Sequence, residues 1–216
     1  MVCHALQAVR PSGQVKAFPT EKRAANSVYN YLGCRRPAYF LSYWKGPIVK
    51  QTIDVYLDIE TTGLYPSCHD ITVIGIYLDG CEGDRLVQLV GEQATRENLL
   101  ENLQGAGTIF TYNGSRFDLP FIQERMGVDL AGRFNTWDLM FDCWKNNLYG
   151  GLKKVEAQLG ICREVKGVNG LEAVRLWWQY RKANDAEALK TLLDYNREDL
   201  VNLKSLRRVL AGRGTH

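Results

Sequence analysis

The sequence predicts an α/β layer fold: three antiparallel strands, then βα units completing a mixed sheet, flanked by helices and followed by a helical C-terminal region. Two patterns carry this expectation. From residue 53 to residue 136, apolar stretches short enough to be strands alternate with links containing Asp, Asn and Gly. Beyond residue 138 the spacing turns helical and no strand-like stretch follows. A chain of 216 residues, 45% hydrophobic and 24% charged, is long enough for one full-sized domain plus an extension.

In residues 55–64, VYLDIETTGL, Val55, Leu57 and Ile59 alternate with Tyr56, Asp58 and Glu60, which is the strand period. Residues 71–78, ITVIGIYL, make a second strand, and 86–90 a third after Asp79-Gly80; links this short imply an antiparallel meander. Helical spacing over 95–103 has Thr95 as its N-cap, with Gly105 and Gly107 beyond its end. Residues 108–112, TIFTY, form a fourth strand that Asn113-Gly114 breaks, and a helix spans 117–126. A short strand near 134–136 precedes a helix over 138–144. Helices over 152–159, 171–181 and 186–210 complete the chain, with Trp177, Trp178 and Tyr180 read as core or helix-packing residues.

Composition narrows the chemistry. No run approaches the roughly 18 apolar residues of a membrane span, and no charged-then-apolar signal segment opens the chain. Cysteines 3, 34, 68, 81, 143 and 162 form no C-x-x-C pair and have no His partners at zinc spacing, so they read as reduced thiols in a cytoplasmic protein. The three histidines, at 4, 69 and 216, lie outside every catalytic candidate, which argues against Ser-His-Asp, Cys-His and zinc-hydrolase mechanisms.

The net charge of +3 is unevenly divided. Residues 1–50 carry eight Lys/Arg against Glu21 alone, a balance of +7, and the remainder stands at −4. This basic, aromatic-rich N-terminal extension, with Phe18, Tyr29, Tyr31, Tyr39, Phe40, Tyr43 and Trp44 among its cations, precedes a domain over 51–212. Interleaved cations and rings suit a nucleic-acid strand, with phosphates on the charges and bases stacked on the rings. The same rings would equally serve to cover one side of the main domain, and the two readings are compatible.

Three short stretches carry the chemistry. Asp58 and Glu60 share one face of an apolar strand, where they would repel each other and lose hydration unless a cation sits between them. Carboxylate oxygens suit a hard divalent ion such as Mg²⁺ or Mn²⁺. Beside them Thr61, Thr62, Gly63 and Leu64 make a compact turn. In the second stretch, TYNGSRFDLPFI (111–122), Asp118 follows a strand and a loop with Asn113 and Gly114. It is either a strand-end carboxylate facing a site or a helix-start residue favoured by the helix dipole. In the third, DYNREDLV (194–201), Tyr195 and Asp199 are four apart on a helix and share a face. Leu192, Val201 and Leu203 help define the apolar side there, and Arg197 and Glu198 belong to a polar one.

Taken together, DIETTGL, YNGSRFDLPF and YNREDLVNL resemble the three exonuclease motifs of the DEDD superfamily of ribonuclease-H-like 3′–5′ exonucleases, in order, spacing and flanking residues. Having Tyr at 195, four before Asp199, the chain resembles the tyrosine (DEDDy) branch, and within it most resembles the YprB-like predicted exonucleases. The resemblance covers residues 53–210. It departs at Thr136-Trp137-Asp138-Leu139, where related sequences tend to have His-Ile-Asp-Leu.

The resemblance implies a ribonuclease-H-like mixed sheet and a two-metal-ion phosphodiesterase. Asp58, Glu60, Asp118 and Asp199 would hold two divalent ions, Mg²⁺ or Mn²⁺. Glu60 would also help place the attacking water, and Tyr195 would orient that water or contact the scissile phosphate. With an ordinary pKa near 10, tyrosine is a poor base at neutral pH, so positioning is preferred. Thr61, Thr62, Gly63 and Leu64 would contact the 3′-terminal nucleotide, and Asn113 the sugar-phosphate backbone. The expected partner is single-stranded DNA or RNA with a free 3′ end, not a membrane, and any helicase or polymerase partner would be a separate chain. The rival readings are a structure-selective endonuclease on the same fold and a non-catalytic nucleic-acid-binding module.

Deleting residues 1–50 is expected to weaken strand binding and flatten its salt dependence, while a short dinucleotide is still hydrolysed. Equal loss of activity on long and short substrates would instead make the segment part of the fold.

Overall fold

The computed structural model describes residues 53–80 and 83–213; the basic extension expected over 1–50 lies outside the described residues. Strands β1 (Ile53–Thr61), β2 (Ile71–Gly80) and β3 (Gly83–Val90) form the expected antiparallel meander. Helix α1 (Arg96–Asn102) leads to β4 (Ala106–Thr111), and α2 (Asp118–Met126) and α3 (Leu130–Arg133) lead to β5 (Asn135–Asp138). Both β4 and β5 run parallel to β1, giving a mixed sheet of order β3-β2-β1-β4-β5. Helices α4 (Leu139–Lys145), α5 (Leu152–Leu159), α6 (Gly170–Ala183) and α7 (Ala186–Arg213) follow. None of the described helices is long and apolar enough to cross a membrane, and Cys68, Cys143 and Cys162 form no disulfide among the described residues.

β1 lies at the centre of the sheet and is covered on both faces. Val55, Leu57 and Ile59 pack with Leu99 of α1 and Phe121 and Ile122 of α2. Tyr56, on the opposite face, packs with Phe110 of β4 and with Leu200, Leu203 and Leu206 of α7. Side chains buried this completely each contribute about 1.5–3 kcal/mol of hydrophobic stabilisation. The alternation legible in the sequence is therefore a division between two apolar layers, not between core and solvent. The Asp58 and Glu60 face is the one crossed by α7.

Where sequence expectation and structure part, the cause is local. Thr95 caps α1 as expected, its hydroxyl accepting from the Asn98 N–H at 3.2 Å. The 3-10 turn Gly91–Gln93 and the four-residue α3 escape prediction because neither is long enough to show a period. On α7 the apolar face runs through Leu192, Leu200, Leu203, Leu206 and Leu210, and Val201 faces solvent. Glu198, expected on a polar face, is turned inward on an ion pair. Trp177 is buried with Ala173 and Leu176, whereas Trp178, one residue on, is 43% exposed.

Gly75 fixes how closely α7 approaches. It pairs with Asp58 across the β1–β2 ladder, and a Cβ there would collide with the Asn196 amide oxygen and the Leu200 side chain. Gly75→Ala is expected to cost about 1–3 kcal/mol, the usual penalty of overpacking. Denaturant unfolding checks this, and a variant of unchanged midpoint would show that α7 shifts without cost.

Candidate active site

The site is assembled where β1 ends beneath α7. Two-residue spacing places Asp58 and Glu60 on one face, and α7 brings Asp199 to them from the far end of the sequence. Carboxylate oxygens of Asp58, Glu60 and Asp199 all lie within 4.8 Å of one another. Asp118 arrives at the start of α2, where its Oδ1 accepts the Ile59 backbone N–H at 3.0 Å. All four acids line one cleft of about 650 Å³, together with Tyr195 and Asn113.

The turn after β1 forms the cleft's rim. The β1–β2 register slips between Glu60 and Thr61, freeing the chain to turn. The Thr61 hydroxyl then donates to the Gly63 carbonyl at 2.6 Å, and Thr62 N–H donates to the Asp70 carbonyl at 2.9 Å. The His69 ring packs against Gly63 so closely that a Cβ at 63 would collide with it. One of the three histidines set aside in the sequence thus supports this turn. Thr61, Gly63 and Leu64 line the cleft, and Leu64 is 70% exposed at its mouth. The Thr62 hydroxyl points elsewhere, accepting from Asp70 N–H at 2.9 Å and closing the loop.

Asn113 has φ 62°, a left-handed conformation that Asn tolerates better than most residues. Asp138 holds it there, accepting the Asn113 N–H at 2.8 Å as well as the Ser115 N–H and hydroxyl. The same carboxylate caps α4 through the Met140 N–H. Asp138, the last residue of β5, therefore shapes the second motif's loop, whereas the adjacent Trp137 stands at the surface, its indole N–H on Asp142.

Electrostatics make the cleft unstable as a metal-free, fully ionised site. Burial, then the neighbouring Glu60, Asp199 and Asp118 charges, push the Asp58 carboxyl well above the ordinary range. Burial, Asp199 and Asp118 do the same to Glu60, with Lys153 opposing. Asp118 is pushed up to about 7 by burial, against its backbone hydrogen bonds. Burial also raises Asp199, with Arg163 pulling the other way. Burial and the charges of Asp199, Glu60 and Asp58 push the Tyr195 phenol up, so it stays protonated. Convergent hard oxygen donors with too little compensating charge fit a divalent ion of the Mg²⁺ or Mn²⁺ type.

Four further residues at or behind the cleft were not singled out in the sequence. Buried Asn196 donates to Asp58 Oδ2 at 2.8 Å and accepts from Gln88 at 2.9 Å. Lys153 lies 4.4 Å from the Tyr195 ring centroid. Arg163 pairs with Asp199, with Glu156 at 2.7 Å and with Glu198 at 3.2 Å. Glu156 is wholly buried, on the apolar side of α5 beside Val155. An acid among the apolar positions of an amphipathic helix is the signal that would have prompted a search for its cation.

A family model described as RNase_H superfamily matches residues 55–211. The family B DNA polymerase of the hyperthermophilic archaeon Pyrobaculum calidifontis is 16% identical, with a TM-score of 0.57 over 74% of this chain. This chain spans 25% of that polymerase's length. Brucella melitensis NrnC with bound Mg²⁺ is 20% identical over 76% of this chain and 74% of its own, with a TM-score of 0.53. NrnC bound to pGG is 22% identical over the same shares, also with a TM-score of 0.53. These likenesses are likenesses of fold. A comparison with curated proteins found no match.

A carboxyl whose folded pKa is raised binds its proton more tightly in the folded state. The associated stability is present below the ordinary carboxylate range near 4 and is lost as the pH rises through about 7. In EDTA the protein is therefore expected to melt at a lower temperature at about pH 8 than at about pH 5, and Asp58→Asn to raise the melting temperature at the higher pH. A flat profile across that window would show that the acids do not share a desolvated site.

Proposed function

The chain belongs to the RNase H superfamily, and from that premise we propose that it is a metal-dependent 3′–5′ exonuclease of single-stranded nucleic acid, of the DEDDy branch and most similar to the YprB-like enzymes. One observation carries the reading. Acids from three separate segments, β1, the start of α2 and the middle of α7, meet in a single cleft with a buried tyrosine beside them. A surface ion-pair network would not need to desolvate four carboxylates together.

In this reading Asp58, Glu60, Asp118 and Asp199 hold two divalent ions, Mg²⁺ or Mn²⁺. The ions supply activation of water and stabilisation of charge on the attacked phosphate and the leaving oxygen. The chain's own groups do the positioning. Tyr195, kept protonated by its surroundings, donates a hydrogen bond to the attacking water or the scissile phosphate and does not act as a base. Leu64, exposed at the mouth of the cleft, offers an apolar face to the terminal base. Thr61, Thr62 and Gly63 set that turn against the terminal sugar, and Asn113, which lines the same cleft, contacts the sugar-phosphate backbone. None of these contacts distinguishes one base from another, so little sequence preference is expected.

Support for metal chemistry comes from the donor set, and support for an oligonucleotide substrate from the likeness to NrnC, whose structures include one with Mg²⁺ and one with pGG. The decisive test is degradation of 5′-labelled single-stranded DNA and RNA of one sequence with Mn²⁺, Mg²⁺ or EDTA. A metal-dependent ladder shortening from the 3′ end, absent in Asp58→Ala, is expected. Tyr195→Phe should lower kcat about 100-fold, as loss of positioning does, with Mn²⁺ affinity unchanged. Cutting of a closed circular strand would overturn the exonuclease assignment in favour of internal cleavage.

A further inference from the structure

We infer that Arg163 is a positioning residue for metal binding, acting through Asp199. The inference rests on the reading of Asp199 as a metal ligand and adds what holds that ligand in place. Arg163 lies in the connection between α5 and α6, and its side chain is only 13% exposed. Its guanidinium meets three carboxylates at once. Nη1 donates to Glu156 Oε2 at 2.7 Å, Nε to Glu198 Oε2 at 3.2 Å, and Nη2 to Asp199 Oδ1.

Two of these three carboxylates, Glu156 and Glu198, are absent from the cleft lining, and Arg163 is the cation that both of them meet. Glu156 is wholly buried on α5, and its Oε1 has no hydrogen-bond partner among the described residues. Such a carboxylate is tolerated because a cation sits on its other oxygen. Glu198 also accepts the backbone N–H groups of Glu164 and Val165, so α7 grips the segment that carries the arginine. The guanidinium plane is thus fixed by α5 on one side and by α7 on the other before Asp199 is considered.

A planar fork held this way constrains the Asp199 carboxylate. With Oδ1 engaged by Nη2, the group cannot rotate freely on its side chain, and it is presented to Asp58 and Glu60 in one orientation. Arg163 also lies 5.6 Å from the Tyr195 ring centroid, so the same cation packs beside the second functional residue of α7. Coulomb repulsion between a guanidinium and an incoming dication would argue for the opposite effect, that Arg163 competes with the metal. Glu156 and Glu198 neutralise that charge locally, which leaves orientation as the deciding contribution. Supporting partners of this kind typically change metal affinity or activity about 10–100-fold when removed.

The test is Mn²⁺ binding by electron paramagnetic resonance, without substrate, in the full chain. Arg163→Lys keeps the charge but loses the fork. Arg163→Met with Glu156→Gln removes the cation together with its most deeply buried counter-charge, so Glu156 is not left as an unpaired buried ion, while Glu198 keeps its backbone N–H donors. Both variants are expected to bind Mn²⁺ about 10–100-fold more weakly than the wild type, with activity recovering toward wild type at high Mn²⁺. Millimolar guanidinium should partly restore affinity in the double variant. An unchanged dissociation constant accompanied by a lower melting temperature would overturn the inference, reducing Arg163 to a tether for the α5–α6 connection. A tighter constant would also overturn it, marking the guanidinium as a competitor. If the wild type binds no Mn²⁺, or Asp58→Asn binds it as well as the wild type does, the metal reading of the cleft itself fails and the role of Arg163 with it.

Discussion

Four carboxylates are gathered at the end of a strand buried on both faces, and the structure around them is organised by their mutual repulsion. Asp58 and Glu60 cannot separate, because strand geometry puts them on one face of the central strand. Asp199 and Asp118 are then added from two other elements. Each acid is given a different polar partner except where charge is needed: Asn196 for Asp58, the Ile59 N–H for Asp118, Arg163 for Asp199, with Lys153 opposing the rise at Glu60. The two cations do not balance the set, particularly once Glu156 and Glu198 draw on Arg163. In a desolvated pocket such an imbalance is resolved by protons or by a bound cation. Either choice couples the protein's stability to what neutralises the cleft.

The geometry depends on how near α7 can come to β2 and β1. A glycine at 75 admits the Asn196 amide, whose donor end reaches Asp58 and whose acceptor end is held by Gln88 on β3. The third motif is therefore registered against the first through a hydrogen-bond chain across three strands, as well as through apolar packing of Leu200 and Leu203. Asp138 does the corresponding work for the second motif, fixing the left-handed Asn113 and capping α4 with one carboxylate. Neither Gln88 nor Asp138 lines the cleft; Asp138 orients Asn113, which does, and Gln88 acts one step further back, through Asn196 on Asp58.

The strands and helices were legible because their periods are strong and their ends are marked, as with Thr95 before α1 and Asn113-Gly114 after β4. The acids were legible because carboxylates in an apolar strand are costly and so conspicuous. The supporting residues were not. Arg163 and Lys153 belong to segments of ordinary polarity, and only folding shows that they lie near residues 195 to 199. Asn196 was hidden beside the more conspicuous Tyr195 and Asp199. The hydrophobicity of Val201 points to the apolar side, but its place on α7 turns it to solvent. The charge of Glu198 points to a polar side, but its ion pair with Arg163 turns it inward. Helical spacing names the faces of α7, but how closely the Asn196–Leu200 face can approach the sheet depends on the missing side chain of Gly75, which periodicity does not reveal.

The same desolvated environment assigns different roles to the two kinds of acid in the cleft. For the carboxylates it makes the ionised form costly until a cation arrives, and a bound dication would return them to their charged state. For the Tyr195 phenol it adds burial to the negative charges of Asp199, Glu60 and Asp58, all of which favour the protonated hydroxyl. A dication would weaken that negative field, but burial, the largest cause, would persist. Tyrosine at this position is thus suited to donate a hydrogen bond, and phenolate chemistry would need the surroundings to be reversed. In the proposed mechanism proton acceptance therefore falls outside Tyr195, and its contribution is to fix the direction from which water approaches the phosphate.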